Sequence, residues 1–243
     1  RAGLRAVEGG GGAEVRGAAR RAALRGALVV GNPVMPEVVG ENGPRAVLGR
    51  LSAAEQEARR VAEQLGVTPL VGAAATESAV RARLPGAPLV HLATHGLAYG
   101  TEARVRDSYV ALTADGTNDG FLTLGELVDD PRLTLTAELI VLSACQTGLG
   151  DLKQAEGTVG LQRGLLARGA RSVLVSLWSV DDRATALLME RFYTHWLQDA
   201  DTPSKAEALR RAQGDVRAQR DATGHQPWQD PRYWAAFQLV GAR

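Results

Sequence analysis

The chain has 243 residues, of which 45% are hydrophobic and 23% charged. That is a folded globular composition with enough apolar material for a core, and it excludes disorder along most of the chain. Lys plus Arg number 28 and Asp plus Glu 27, so the net charge of +1 gives no support to a nucleic-acid-binding role. The single cysteine, Cys145, excludes an internal disulfide and a multi-cysteine zinc site. No apolar run approaches the roughly 18 residues of a membrane span, and no signal-peptide pattern opens the chain. A reducing cytoplasm is the default compartment.

Residues 1–26 are rich in Arg, Ala and Gly. They read as a linker or the remnant of a longer protein, flexible at 9–12, with room for a short Ala/Arg helix over 16–25. A regular alternation then begins. The apolar run 27–31 (ALVVG), closed by Asn32-Pro33, is expected as a buried strand. Residues 52–65 are expected as a helix, with a capping box from Ser52 to Glu55 and a stop at Gly66. A strand at 68–71, a helix at 76–84 and a strand at 87–94 follow. Residues 97–137 are irregular, with a hairpin over 108–122 and a short helix at 123–128. The strongly apolar stretch 138–144 (ELIVLSA) is a strand, 155–168 a helix and 172–177 a strand. Helices at 181–197 and 204–222 (Ser204 as cap) and a strand at 234–240 complete the chain. Apolar strands alternating with helices imply a mostly parallel sheet covered on both faces.

In such sheets ligands bind beyond the carboxyl ends of the strands. One strand runs into His95-Gly96 and another into Cys145-Gln146-Thr147-Gly148. If the two strands are neighbours, His95 and Cys145 meet at one edge. A free thiol, with a pKa of about 8.5, is mostly protonated at neutral pH, and an adjacent imidazole can take its proton and return it to a leaving amine. The N–H groups of Gly96 and Cys145, at strand ends, are candidate oxyanion donors. Considered singly, Cys145 also fits a buried core thiol and His95 a satisfied loop histidine. His91 lies four residues before His95, on the same strand face; it lacks the helix and the following Glu of a metalloprotease motif, so no metal is expected. It fits a packed core histidine or a partner behind the site.

At these residues the sequence resembles the CHAT domains. The matching segments are HLATHG (91–96), ELIVLSACQTGLG (138–150), EGTVGLQRGLLARGARSVLVSLWSVDD (156–182) and PWQDPRYWAAFQLVG (227–241). CHAT domains stand with caspases, separases and gingipains among cysteine peptidases. The resemblance covers residues 27–243 and implies a caspase-like three-layer α/β fold. It places the nucleophile on Cys145 and the general acid/base on His95, 50 residues earlier. It also implies that Ser176 and Trp178 line a substrate cleft. Caspases carry Gln-Ala-Cys-x-Gly where this chain has Ser143-Ala144-Cys145-Gln146, so a preference for Asp at the cleavage site is not carried over.

Asp181 and Asp182 follow that segment. They fit either a carboxylate pair selecting Arg or Lys in a substrate, or a helix cap. Asp107 and Asp115 are weaker candidates for the same pocket. Gly157, Gly160 and Gly164 share a helix face and are expected to let that helix approach the sheet. The aromatic cluster Trp228, Tyr233, Trp234 and Phe237 fits a core or cleft wall. The expectation is thus a cysteine endopeptidase that needs no cofactor and acts on a protein or peptide. The resemblance adds a prokaryotic, cytoplasmic signalling or defence protease under the control of a fused or separate sensor or repeat domain. The alternatives are a catalytically silent interaction module and an acyltransferase using the same dyad.

Overall fold

The computed structural model describes residues 10–38, 46–99, 101, 103–143, 151–199, 201 and 203–242. The elements in chain order begin with α1 (Gly10–Ala23), β1 (Leu28–Pro33), β2 (Glu37–Val38), β3 (Ala46–Val47), α2 (Ser52–Leu65), β4 (Leu70–Gly72) and α3 (Glu77–Arg83). The middle of the chain holds β5 (Leu89–Ala93), β6 (Gly96–Leu97), β7 (Tyr109–Ala111), β8 (Phe121–Thr123) and α4 (Leu124–Asp129). The last third holds β9 (Leu139–Leu142), α5 (Asp151–Ala167), β10 (Ser172–Ser176), α6 (Asp182–Gln198), α7 (Lys205–Ala218) and β11 (Phe237–Gly241).

Six strands form one sheet in the order β11-β10-β9-β5-β1-β4. All neighbouring pairs are parallel except β10 with β11. The four inner strands are buried along their whole length. This explains their unbroken apolar runs, since both faces are covered. One face packs on α2, α6 and α7 through Val29, Leu89, Leu139, Val141 and Leu174. The other packs on α3, α4 and α5 through Leu28, Val30, Val90, Ile140 and Val173. The result is the expected three-layer α/β architecture.

Local chemistry sets the element ends. Gly66 closes α2 in the left-handed conformation (φ 69°). Thr76 and Ser204 cap α3 and α7, and Thr123 with Glu126 forms a capping box on α4. The box expected at Ser52 is absent. Leu51 takes the cap position without a side-chain bond, and Glu55 instead accepts from Asn32 and Arg59. The helix expected over 16–25 runs from Gly10 to Ala23, so Gly10–Gly12 belong to its first turn. It is anchored on α6, with Arg20 Nη1 donating to the carbonyl of Trp196 at 2.5 Å.

The glycines of α5 act differently from expectation. A Cβ on Gly160 would stand 2.3 Å from Val105, and one on Gly164 2.3 Å from Leu124. They admit the segment that follows β6 rather than the sheet itself. That segment carries β7 and β8, which pair with β6 in a small antiparallel sheet. At the other side, a Cβ on Gly31 would stand 2.4 Å from Ala58 Cβ, so glycine there lets α2 lie close on β1.

Candidate active site

β5 and β9 are parallel neighbours in register from Leu89↔Leu139 to Leu92↔Leu142. The pairing extends one step further, because the Ser143 N–H donates to the Leu92 carbonyl at 2.9 Å. The two strands expected to present the dyad therefore leave the sheet side by side. His95 stands two residues past β5. Cys145, two residues past Ser143, lies outside the described residues, as do Gln146–Gly150 by number.

His95 is 6% exposed. Its Nε2 lies 2.8 Å from the carbonyl oxygen of Gly49. A carbonyl can only accept, so Nε2 carries a proton, and in the neutral ring Nδ1 holds the lone pair. Nδ1 is buried and has no hydrogen-bond partner among the described residues. Gly49 is held in turn through Asn32. That residue, next to last in β1, lies in the left-handed region (φ 44°), which Asn tolerates better than most residues. Its Oδ1 accepts from the Leu51 N–H at 2.9 Å, and its Nδ2 donates to Glu55 at 3.1 Å. One polar side chain at a strand end thus fixes the loop that orients the imidazole. Sequence reasoning missed both residues: Asn32 was visible only as a strand stop, and a backbone carbonyl leaves no signature in sequence.

Gly96 pairs with Val110 in the small sheet. The Ala111 N–H donates to the His95 carbonyl at 2.8 Å, which makes Gly96↔Val110 a non-hydrogen-bonded pair. The Gly96 N–H therefore points away from β7.

The aspartate pair divides its roles. Asp181 caps α6, accepting from the N–H groups of Arg183 and Ala184 at 3.0 Å each. The Asp182 carboxyl is held above its ordinary value. Partial burial is the largest cause, the Asp181 and Glu57 charges add to it, and His95 opposes it. Asp115 is occupied elsewhere: it accepts from Ser78 and Thr117, which pin its own loop to α3 and keep its carboxyl well below the usual range. Asp107 pairs with Arg104 at 3.6 Å.

Ser176 ends β10 and is 4% exposed. It lies one step past Val175, the partner of Leu142, so it continues the row of Ser143. Trp178 is half-buried against the α6 side of the core, together with Trp228, Tyr233 and Trp234. Its indole N–H donates to the Arg232 carbonyl at 3.0 Å. The C-terminal aromatic cluster therefore braces the segment after β10.

Behind His95 lies a group that the sequence only half announced. His91 is fully buried, with Nε2 2.9 Å from Oε1 of Glu57, which is 3% exposed. The Tyr193 hydroxyl lies 3.3 Å from His91 Nδ1, and the two rings meet edge to face at 5.7 Å. The available signal was a lone acid in the buried stripe of α2, otherwise Ala54, Ala58, Val61, Ala62 and Leu65. Among the described residues, no group of three or more His, Cys, Asp and Glu is arranged to hold a metal. No helix there is long and apolar enough to cross a membrane.

The comparisons agree with this architecture. Tetratricopeptide repeat protein 28 of Mus musculus is 32% identical over 248 residues, covering 89% of this chain. The Homo sapiens protein of the same name is 32% identical over 247 residues, again covering 89%. This chain spans only 9% of the length of either relative. Among solved structures, the Arg-specific cysteine proteinase gingipain R superposes with a TM-score of 0.50 at 10% identity. That match covers 91% of this chain and 47% of the other, a likeness of fold. The CHAT domain family matches residues 12–242. With nearly the whole sequence matched and the caspase-like sheet in place, the chain belongs to the CHAT domain family.

Proposed function

We propose that the chain is a cysteine endopeptidase domain, with Cys145 as nucleophile and His95 as general acid/base. The observation that carries this reading is the state of the His95 ring. Its Nε2–H is committed to Gly49, and its buried Nδ1 has no hydrogen-bond partner among the described residues, at the sheet edge where β9 ends. In the proposed reaction Nδ1 takes the thiol proton and the thiolate attacks the scissile carbonyl carbon. The oxyanion is received by the N–H groups of Gly96 and Cys145. The same Nδ1–H then protonates the departing amine, leaving a thioester. Water, deprotonated by His95, hydrolyses that acyl-enzyme and restores the thiol. No cofactor takes part in these steps.

Asp182 is proposed as the residue that favours Arg or Lys on the amino side of the cut. Asp181 is spent on the cap, which leaves Asp182 to face a substrate. Ser176 and Trp178 are proposed to line the adjacent cleft. The partner is a protein or peptide substrate, with a repeat or sensor domain as controller. The relatives' names, which are those of repeat proteins, support the second element. Those relatives are animal proteins and lend nothing to the prokaryotic, cytoplasmic setting implied by the resemblance.

The test uses wild type, Cys145→Ala and His95→Ala with a fluorogenic peptide library varied at the residue before the cut. Turnover by wild type alone, strongest after Arg or Lys, is the expected result. Turnover retained by Cys145→Ala would refute the mechanism. Aminolysis by an added amine in place of hydrolysis would indicate an acyltransferase. Silence in wild type, also after a controlling partner is supplied, would favour the interaction module.

A further inference from the structure

The loop that presents Gly49 to His95 is tied down by a carboxylate that the neighbouring helix does not use as a cap. Ser52 and Glu55 have the spacing of a capping box, yet Leu51 takes the cap position and α2 starts without a side-chain cap. The Glu55 carboxylate turns the other way. Its Oε2 accepts from Asn32 Nδ2 at 3.1 Å, and its Oε1 accepts from the Arg59 guanidinium at 2.9 and 3.3 Å. Gly31 makes that reach possible. A Cβ there would stand 2.8 Å from the Ala54 carbonyl oxygen and 3.4 Å from Glu55 Cα, so the first turn of α2 lies directly on the strand that carries Asn32. Asn32 is 2% exposed and sits at a positive φ. A forgone cap and a left-handed asparagine are both locally unfavourable, and both serve the same loop.

The contacts form one series, covalent only between Leu51 and Gly49. Arg59 holds Glu55, and Glu55 holds the Asn32 amide. Asn32 Oδ1 accepts from the Leu51 N–H at 2.9 Å, and two residues back the Gly49 carbonyl accepts from His95 Nε2 at 2.8 Å. The polarity of each step is fixed. The Arg59 and Asn32 hydrogen bonds hold the Glu55 carboxyl below its ordinary value, so at neutral pH it is a carboxylate and only accepts. A peptide N–H only donates, so one orientation of the Asn32 amide alone satisfies both neighbours. Without the Glu55 acceptor the amide is free to turn over, and its Nδ2 then meets the Leu51 N–H, donor against donor. Glu55 thus selects the orientation in which Oδ1 holds the loop.

We propose that Glu55, aimed by Arg59, is a positioning residue: through Asn32 it fixes the loop whose Gly49 carbonyl orients the His95 ring. This deepens the peptidase reading and rests on it for any effect on turnover. The bond from His95 to Gly49 exists in the free protein, so it can be followed there without substrate. The same helix supplies a control. Arg60, the next residue, pairs with Glu190 on the surface, and neither of those two bonds to Asn32 or its loop among the described residues.

The test follows the His95 Nε2–H by proton–nitrogen NMR and reads its exchange with water in wild type, Glu55→Ala, Glu55→Gln and Arg60→Ala. Glu55→Ala speeds the exchange several-fold, because the loop that carries the acceptor opens more often. Glu55→Gln keeps an acceptor for Asn32 Nδ2 and recovers most of the protection. Arg60→Ala exchanges at the wild-type rate. Asn32→Asp sets two carboxylates against each other and speeds exchange, and adding Glu55→Gln, whose amide donates, slows it again. In turnover, Glu55→Ala lowers kcat about threefold while KM holds. Combined with Asn32→Ala, it lowers kcat no further than Asn32→Ala alone. A folded Glu55→Ala protein with wild-type exchange would overturn the proposal. So would an equal rise in Arg60→Ala, or a wild-type Nε2–H already in free exchange with water. The expected exchange pattern with no turnover in any variant, wild type included, would support the positioning role and count against the peptidase reading instead.

Discussion

The two faces of the central sheet are built from alternate residues of the same strands, yet they differ in kind. On the face toward α3, α4 and α5 the strand residues are Leu28, Val30, Val90, Leu92, Ile140, Leu142, Val173 and Val175. On the face toward α2 and α6 the inner core is equally apolar, but the row changes character near the carboxyl edge. There His91, His95, Ser143 and Ser176 appear, all buried, with Glu57 and Tyr193 reaching down from the helices. One face of each strand secures the fold and the other carries polar groups to the edge. A period of two lets a single strand do both. Burial of polar groups costs stability unless they are paired, and the proposed peptidase reading draws its residues from this face.

Substitutions on the two faces are expected to separate chemistry from stability. The largest effect falls on the polar edge: His95→Ala is expected to lower kcat/KM by about a thousandfold or more, with little change in thermal stability. Enzyme kinetics beside a melting curve reads both. On the opposite face, Ile140→Ala, at 1% exposure between Val90 and Val173, is expected to cost about 2–5 kcal/mol in denaturant unfolding. The pH dependence of whatever protein remains folded should stay unchanged. If Ile140→Ala altered that pH dependence, the division between the faces would be wrong.

Two smaller effects sharpen the comparison. Asn32→Ala frees the loop that presents Gly49 to His95, and is expected to lower kcat about tenfold while KM holds. A KM effect alone would remove Asn32 from the orientation of the ring. Asp182→Asn is expected to reduce the preference for Arg over neutral residues several-fold. In wild type that preference depends on the ionised carboxyl, so it is lost as pH falls through the Asp182 midpoint. Burial and the Asp181 and Glu57 charges place that midpoint above the usual aspartate value of about 3.9. Selectivity therefore fades at a higher pH than an ordinary aspartate would give, and a competition assay across pH measures it.

Much of this was legible in the sequence, for physical reasons. Fully buried parallel strands must be apolar on both faces, so the runs at β1, β5, β9 and β10 stood out. Their carboxyl ends then pointed to His95 and Cys145. Caps with a polar side chain, as at Thr76 and Ser204, were readable; the start of α2 at Leu51 was not, because a nearby Asn–Glu contact drew Glu55 away from Ser52. The parts that escaped were long-range. Gly49 acts through a carbonyl 46 residues from the histidine it orients. Tyr193 reaches His91 across 102 residues. The glycines of α5 have a helical period but no label for their neighbours, which proved to be Val105 and Leu124.

The most direct measurement is the rate of alkylation of Cys145 by iodoacetamide as a function of pH, in wild type and His95→Ala. Cys145 is the only cysteine, so the label reports on it alone. A dyad places the wild-type midpoint below the ordinary thiol value of about 8.5, and His95→Ala returns it upward. Superimposable curves at the ordinary thiol value in both proteins would show that His95 does not activate Cys145, and would contradict the peptidase reading.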